Sequence, residues 1–222
     1  FNFDGLWNNY RYKQTGYREW YEMFKKGELN DAQAQFFTTK PAEALYDIDT
    51  DPFEINNIAA NPEHKKTLLK MRAELNDWIK SMPDLSFYPE HYLISNAFKN
   101  PLAFGQANKT AIEKYLKIAD LQLLSYTDAK ANIENALNSD DAWERYWGII
   151  TCSKFENEAI EFLPKLKEIA DADPELINRV RAAEFMGITK SGNPAGIIEN
   201  TLNESSDATE SLLILNCAVL LK

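Results

Sequence analysis

The second half of the chain is dominated by apolar positions that recur every three or four residues. Ala159, Phe162, Leu163, Leu166, Ile169 and Ala170 fall on one face of a helix, and Val180, Ala183, Phe185, Met186 and Ile188 fall on one face of another. Between them stands Asp171-Ala172-Asp173-Pro174, a turn whose acids are expected to cap the second helix. The same arrangement precedes this pair, with the segment Asn132 to Leu137, the turn Asn138-Ser139-Asp140-Asp141, then Trp143, Tyr146, Trp147 and Ile150. It follows it again, with Ile197, Ile198 and Leu202, the turn Ser205-Ser206-Asp207, then the apolar run 212–221. The period, roughly 30–40 residues, lies in the range of stacked helical repeats. One pair cannot bury its own apolar face, so neighbours must stack. Pro164 falls inside the first helix of its pair and is expected to bend it.

The first half is less regular. Residues 6–13 (LWNNYRYK) are aromatic-rich and read as an extended strand, and residues 45–48 alternate like a second, short one. Residues 17–26 read as a helix stopped by Gly27, and Asp31 as the cap of a short helix reaching Phe37. Asn61-Pro62-Glu63 is a strong helix start: a capping side chain, proline at the first position, then an acid near the positive end of the dipole. Leu68, Met71, Leu75, Trp78, Ile79 and Met82 then form one apolar stripe, expected to pack on the small sheet. The expected fold is mainly α. A small α+β part, a short antiparallel sheet plus a long helix, spans residues 1–82. A loop-rich connector with Pro83, Pro89, Pro101 and Gly105 spans 83–110, and a helical-repeat domain spans 111–222.

Composition narrows the function. The 12 Phe, 10 Tyr and 5 Trp argue against disorder. A net charge of −10 repels nucleic acid and anionic membranes at long range, and repels polyanions generally. No apolar run approaches the ~20 residues of a membrane-spanning helix. Neither nucleic acid nor a membrane is therefore expected as a partner. The chain begins at Phe1 in mid-pattern, as a fragment or a mature form would. Cys152 and Cys217 lie among apolar neighbours and read as buried free thiols. His64 and His91 are too few and too scattered to suggest a zinc site, and no metal ligands are assigned.

Residues 159–188 resemble HEAT repeats, in which an arginine stands near the start of the second helix; Arg145 and Arg181 are read in that position, with Leu213 in the third pair. Residues 40–79 resemble the C-terminal region of sulfatases of the alkaline-phosphatase superfamily. Pro41, Glu43, Leu45, Tyr46 and Asp47 match that family's Pro-x-Glu-Glu-Leu-Tyr-Asp-Leu strand, with Ala44 in place of the second Glu. Asp51, Pro52, Glu54, Asn56, Asn57, Ile58 and Ala59 match its Asp-Pro-x-Glu and Asn-Leu-Ala elements, and Trp78 matches the end of its last helix. Trp7, Asn9 and Tyr10 resemble an upstream strand, Gly27 to Phe37 a helical insert of a bacterial subgroup, and Ser86 to Glu90 that subgroup's Gly-Phe-x-Pro-Glu.

The resemblance implies a parent enzyme that hydrolyses sulfate esters or sulfamates on carbohydrate, in the periplasm or outside the cell. Its cofactors would be calcium and a formylglycine made within a Cys/Ser-x-Pro/Ala-x-Arg motif. No such motif occurs here: Cys152 is followed by Ser153, Lys154, Phe155 and Glu156. The chain is therefore expected to be inactive alone, with no catalytic residues and no cofactor of its own. Its expected partners are the missing N-terminal catalytic domain, sulfated carbohydrate and, through the repeats, a second copy. The alternative is a self-standing helical module that binds a protein. Four residues are candidates for substrate contact. Arg11 offers a guanidinium for a sulfate or uronate, against the reading of a plain surface arginine. Tyr88, Glu90 and His91 occupy a proline-bounded loop, against the reading that they only pack it. Trp143, Tyr146 and Trp147 have sugar-stacking chemistry, but their helical spacing points to the core.

Overall fold

The computed structural model describes residues 9–221, and these form two compact units divided at Lys70 and Met71. Helices dominate both. Among the described residues there is no strand or sheet beyond a single-residue bridge at Thr39.

In the first unit, α1 (Asn9–Lys13), α2 (Thr15–Lys26) and α3 (Asp31–Ala34) gather around Phe37, which is 2% exposed. The rings of Trp20 and Phe24 lie 4.7 and 4.8 Å from it. Helix α2 ends as expected at Gly27, whose φ of 70° is costly for residues with a Cβ. The cap of α3 is Asn30 rather than Asp31: its side chain accepts the Gln33 N–H at 2.9 Å, and the Gln33 side chain returns the bond.

The expected antiparallel sheet is not there. Of the strand placed at residues 6–13, positions 6–8 lie outside the described residues and 9–13 are helical. The aromatics that suggested a strand instead pack edge-on, with Tyr12 meeting Tyr17 and Tyr21. Residues 45–48 are irregular because a turn satisfies their backbone. The Leu45 N–H donates to Asn57 Oδ1, the Leu45 carbonyl accepts from Ile58, and the Asp47 carbonyl accepts from Asp51. Asp51 in turn accepts the Asn56 N–H at 2.7 Å, closing a loop in which Glu54 has φ 52°.

The helix start at Asn61 is present. Asn61 accepts the Glu63 N–H, a 3-10 turn runs over Pro62–His64, and α4 follows (Lys65–Ser81). One side of α4 meets the second unit's core through Ile79, and Asn76 donates to Asp120 at 2.8 Å. The stripe of Met71, Leu75 and Trp78, continued by Met82, is uncovered: each side is 50–60% exposed, with no sheet beneath it.

The second unit is a succession of helices. A 3-10 turn (Leu85–Phe87) leads to α5 (Glu90–Asn96), α6 (Pro101–Ala107) and α7 (Lys109–Ala119). Three pairs follow: α8 (Tyr126–Leu137) with α9 (Ala142–Phe155), α10 (Leu163–Ala172) with α11 (Leu176–Ile188), and α12 (Ala195–Glu204) with α13 (Ala208–Leu220). Each pair packs internally in sequence order, and α11 packs on both α9 and α13. This is a helical-repeat class of fold. Gly148 lets α9 approach α8: a Cβ there would lie 3.0 Å from the Ala136 Cβ. Pro164 does not bend a helix. The preceding residues Glu156–Phe162 form a 3-10 turn, and Pro164 sits in the first turn of α10, where its missing N–H costs nothing.

The turns carry a polar ladder. Asp141 and Asp207 cap α9 and α13 as expected. Asp173 is 5% exposed and takes a bidentate pair from Arg145, 2.7 Å to Nε and 3.0 Å to Nη2. The arginine equivalent to Arg145 is Arg179, the fourth residue of α11, and not Arg181. Arg179 donates to the Asp173 carbonyl and to Glu204 of the next pair. Arg181 instead bonds Glu184 on its own helix. In α13 the fourth position is Ser211, so the ladder stops.

Both cysteines are free and buried, as the sequence indicates, and burial pushes each thiol up to about 12. Native protein at ~pH 8 should therefore react with iodoacetamide only as it unfolds, whereas urea-unfolded chain should be alkylated at once. Rapid labelling of the native chain would contradict this burial. The same shift should make stability fall as pH rises above ~8.5, because unfolded thiols lose their protons first.

Removing the ladder's acid leaves Arg145 without its partner. Asp173→Ala should lower unfolding stability by ~3 kcal/mol. Lys130→Ala, which breaks an exposed pair with Glu161, should leave the urea midpoint unchanged. Equal effects of the two substitutions would remove the ladder's special role.

Candidate functional site

The segment 85–92 is where the sequence places most of its candidates, and it is firmly held. Asp84 caps the 3-10 turn by accepting the Ser86 N–H at 2.9 Å. Phe87 is buried, and its carbonyl accepts the Trp147 indole N–H at 2.9 Å. Tyr88 is 5% exposed, with its ring between Tyr92, Phe104, Tyr115 and Trp143. Its phenol pairs with that of Tyr115, which donates to Asp141 at 2.9 Å. Burial raises both phenols, so neither ionises near neutrality. Tyr88 thus presents no flat face to solvent. It links the 3-10 turn to the carboxylate that caps α9.

His91, on the first turn of α5, packs against Trp143 with its Nε2 3.5 Å from Glu210 Oε1 of α13. Glu210 is also held by the Ser205 hydroxyl at 2.8 Å. Glu175 belongs to the same environment: burial raises its carboxyl pKa, and the nearby imidazole offsets part of the rise. His91 Nδ1 is buried and makes no hydrogen bond among the described residues. The imidazole therefore fastens α5 to the last helix pair. Glu90 is exposed at the start of α5. Arg11 lies in the first unit, its guanidinium over the rings of Tyr17 and Phe36 at 5.5 and 5.8 Å.

Tyr88, Glu90 and His91 thus share one short stretch, while Arg11 belongs to an aromatic cluster of the other unit. Trp143 is buried as its spacing indicates, and Trp147 is half-buried under its bond to Phe87. Tyr115, Glu175, Ser205 and Glu210, which complete the network, lie far off in sequence. Each reads locally as an ordinary helix or turn residue, so no sequence signal singles them out. Among the described residues no group of three His, Cys, Asp or Glu converges closely enough to hold a metal ion.

No known family profile matches the chain, and no solved structure does. Two curated proteins do match in part. The similarity is to sulfatases. Both are described as ulvan-active sulfatases of Formosa agariphila. One is 38% identical over 88 residues, which is 39% of this chain and 15% of the relative. The other is 36% identical over 52 residues, which is 23% of this chain and 10% of the relative. The chain thus matches only a small part of each relative's length.

Trp143 of α9 meets Tyr92 of α5 at 4.8 Å and Tyr146 of its own helix at 6.2 Å. Trp143→Ala should cost ~3–5 kcal/mol by lost packing and a residual cavity. Denaturant melts with an unchanged midpoint would mean that the ring is not buried and would return it to the sugar-stacking candidates.

Proposed function

We propose that this chain is the C-terminal accessory part of a sulfatase acting on sulfated carbohydrate, and that it is not catalytic alone. The observation that carries the reading is the 38% identity with an ulvan-active sulfatase over 88 residues. The Pro41-to-Ala59 pattern gives it residue-level content.

Cleaving a sulfate ester needs a strong nucleophile and a cation that neutralises the sulfate. The residues of this chain fit neither the formylglycine nor the calcium that the family implies. Cys152 is fully buried, its thiol is pushed up to about 12, and the residues after it do not form the modification motif. Asp141 and Asp207 are engaged as helix caps, and Asp173 in the arginine ladder. Both groups would belong to a catalytic domain outside these 222 residues.

In this reading α4 is the docking face for that domain. Met71, Leu75, Trp78 and Met82 recur at four- and three-residue steps on one side, and each is at least half exposed. Completing their burial would contribute several kcal/mol at ~25 cal/mol per Å2. The helix pairs behind it are HEAT-like, a description supported by the Arg145–Asp173 and Arg179–Glu204 bonds that tie each pair to the next. They extend the substrate cleft or mediate contacts between copies. Arg11 in the first unit and Glu90 in the second each carry a charged group able to meet a substrate. Tyr88 and His91 contribute by holding the junction segment in place.

The coding sequence upstream of Phe1 should specify a Cys/Ser-x-Pro/Ala-x-Arg motif. Its absence would leave a self-standing helical module instead. In the longer protein, Trp78→Glu should lower the melting temperature and sulfate release together. In the 222-residue chain the same substitution should leave melting unchanged, because the ring is 60% exposed. Loss of stability in the short chain as well would show that α4 packs internally.

A further inference from the structure

The second unit has a groove that none of the foregoing uses. It lies between α7, α8 and the start of α9, with a volume of about 510 Å3, within the ~300–1,000 Å3 of small-molecule sites. Lys114 and Lys117 stand on one wall, one turn apart on α7, and Asn132 and Asn135 stand one turn apart on α8. Ile118, Leu121 and Ala136 supply the apolar floor.

The polar groups are only partly engaged. Lys114 pairs with Glu144 at 3.3 Å across the groove. Lys117 makes no ion pair, and the carboxamides of Asn132 and Asn135 make no hydrogen bond, among the described residues. Two ammonium groups against one carboxylate leave a net positive spot on a chain of net charge −10.

We propose that this groove binds a small acidic saccharide. An ammonium group without an internal partner suits an anionic substituent. Each carboxamide offers a donor and an acceptor side by side, the combination that neighbouring sugar hydroxyls require. Glu144 accepts a further hydroxyl while holding Lys114 in place. The floor of Ile118, Leu121 and Ala136 covers the C–H face of one ring. No aromatic side chain lines the groove to stack a nucleobase, and an acyl chain would give Lys117 and the two carboxamides nothing to bond. The inference does not depend on the sulfatase reading, because it rests on the second unit alone.

The test is an amide-resolved NMR titration of the 222-residue chain with glucose 6-sulfate, with glucuronate, and with glucose as neutral control. Both anions should shift amides of α7 and α8 and saturate, more weakly in high salt, while glucose should not. Preference for one anion would tell whether sulfate or carboxylate is the substituent recognised. Lys117→Glu, and separately Asn132→Ala with Asn135→Ala, should each weaken binding roughly tenfold. All three side chains are exposed, so far-UV circular dichroism and melting should not change. Binding of glucose as tight as that of the anions would overturn the proposal. So would shifts centred outside the groove, no shifts up to ~10 mM, or an acidic peptide bound more tightly than either saccharide.

Discussion

A single buried carboxylate organises the repeat region. Asp173 sits between α10 and α11, yet it reaches back to Arg145 of the preceding pair, and its own carbonyl reaches the Arg179 guanidinium, which bonds forward to Glu204. It also accepts the Glu175 N–H and the Asn178 side chain, so most of its lone pairs are satisfied. Arg145 spends its remaining donors on the carbonyls of Ser139 and Asp140, which would otherwise be the orphaned end of the preceding turn. Desolvating an ion pair costs several kcal/mol, so its value is not chiefly stability. Its geometry fixes the rotation of one pair against the next, which nonspecific apolar contacts leave open.

That constraint also explains what could be read from the sequence. The apolar periodicity gives the helices, and Asp141 and Asp207 announce their starts, because capping acts within three residues. Arg179 and Arg181 are both plausible ladder arginines on spacing alone. Only the helix start at Leu176 places Arg179 at the fourth helical position, beside Asp173. Residues 6–13 and 45–48 read as strands for a related reason. Alternating aromatics suit a strand, but also suit short helices whose rings meet edge-on, as Tyr12, Tyr17 and Tyr21 do. At Leu45, Asn57 supplies the bond that a neighbouring strand would have made.

The candidate residues divide in the same way. Tyr88 and His91 carry groups able to bind sugar, but the same groups satisfy a packed interior, and the choice depends on partners tens of residues away. Tyr115 and Glu210 are those partners. Glu90, exposed one residue before His91, has no such partner among the described residues, although the sequence offers the two side by side. Chemistry at this junction was therefore legible as residue type and not as role.

Helix α4 shows the converse. Its stripe is legible as a face that must be buried, and the structure confirms the helix while leaving that face open. A chain that encodes so regular an apolar face at 71, 75, 78 and 82 meets the core only at the edge of that face, through Ile79, and leaves the rest of it exposed. Trp78 is the decisive residue: an indole costs most when left in water, and solubility alone would favour a charged side chain there. The polar side of α4 supports the same conclusion, since Asn76 is already spent on Asp120 and anchors the helix. Asn76 and Ile79 thus anchor α4 on the second unit while Met71, Leu75, Trp78 and Met82 stay in water, so the ordering cost of presenting these side chains is already met by the fold.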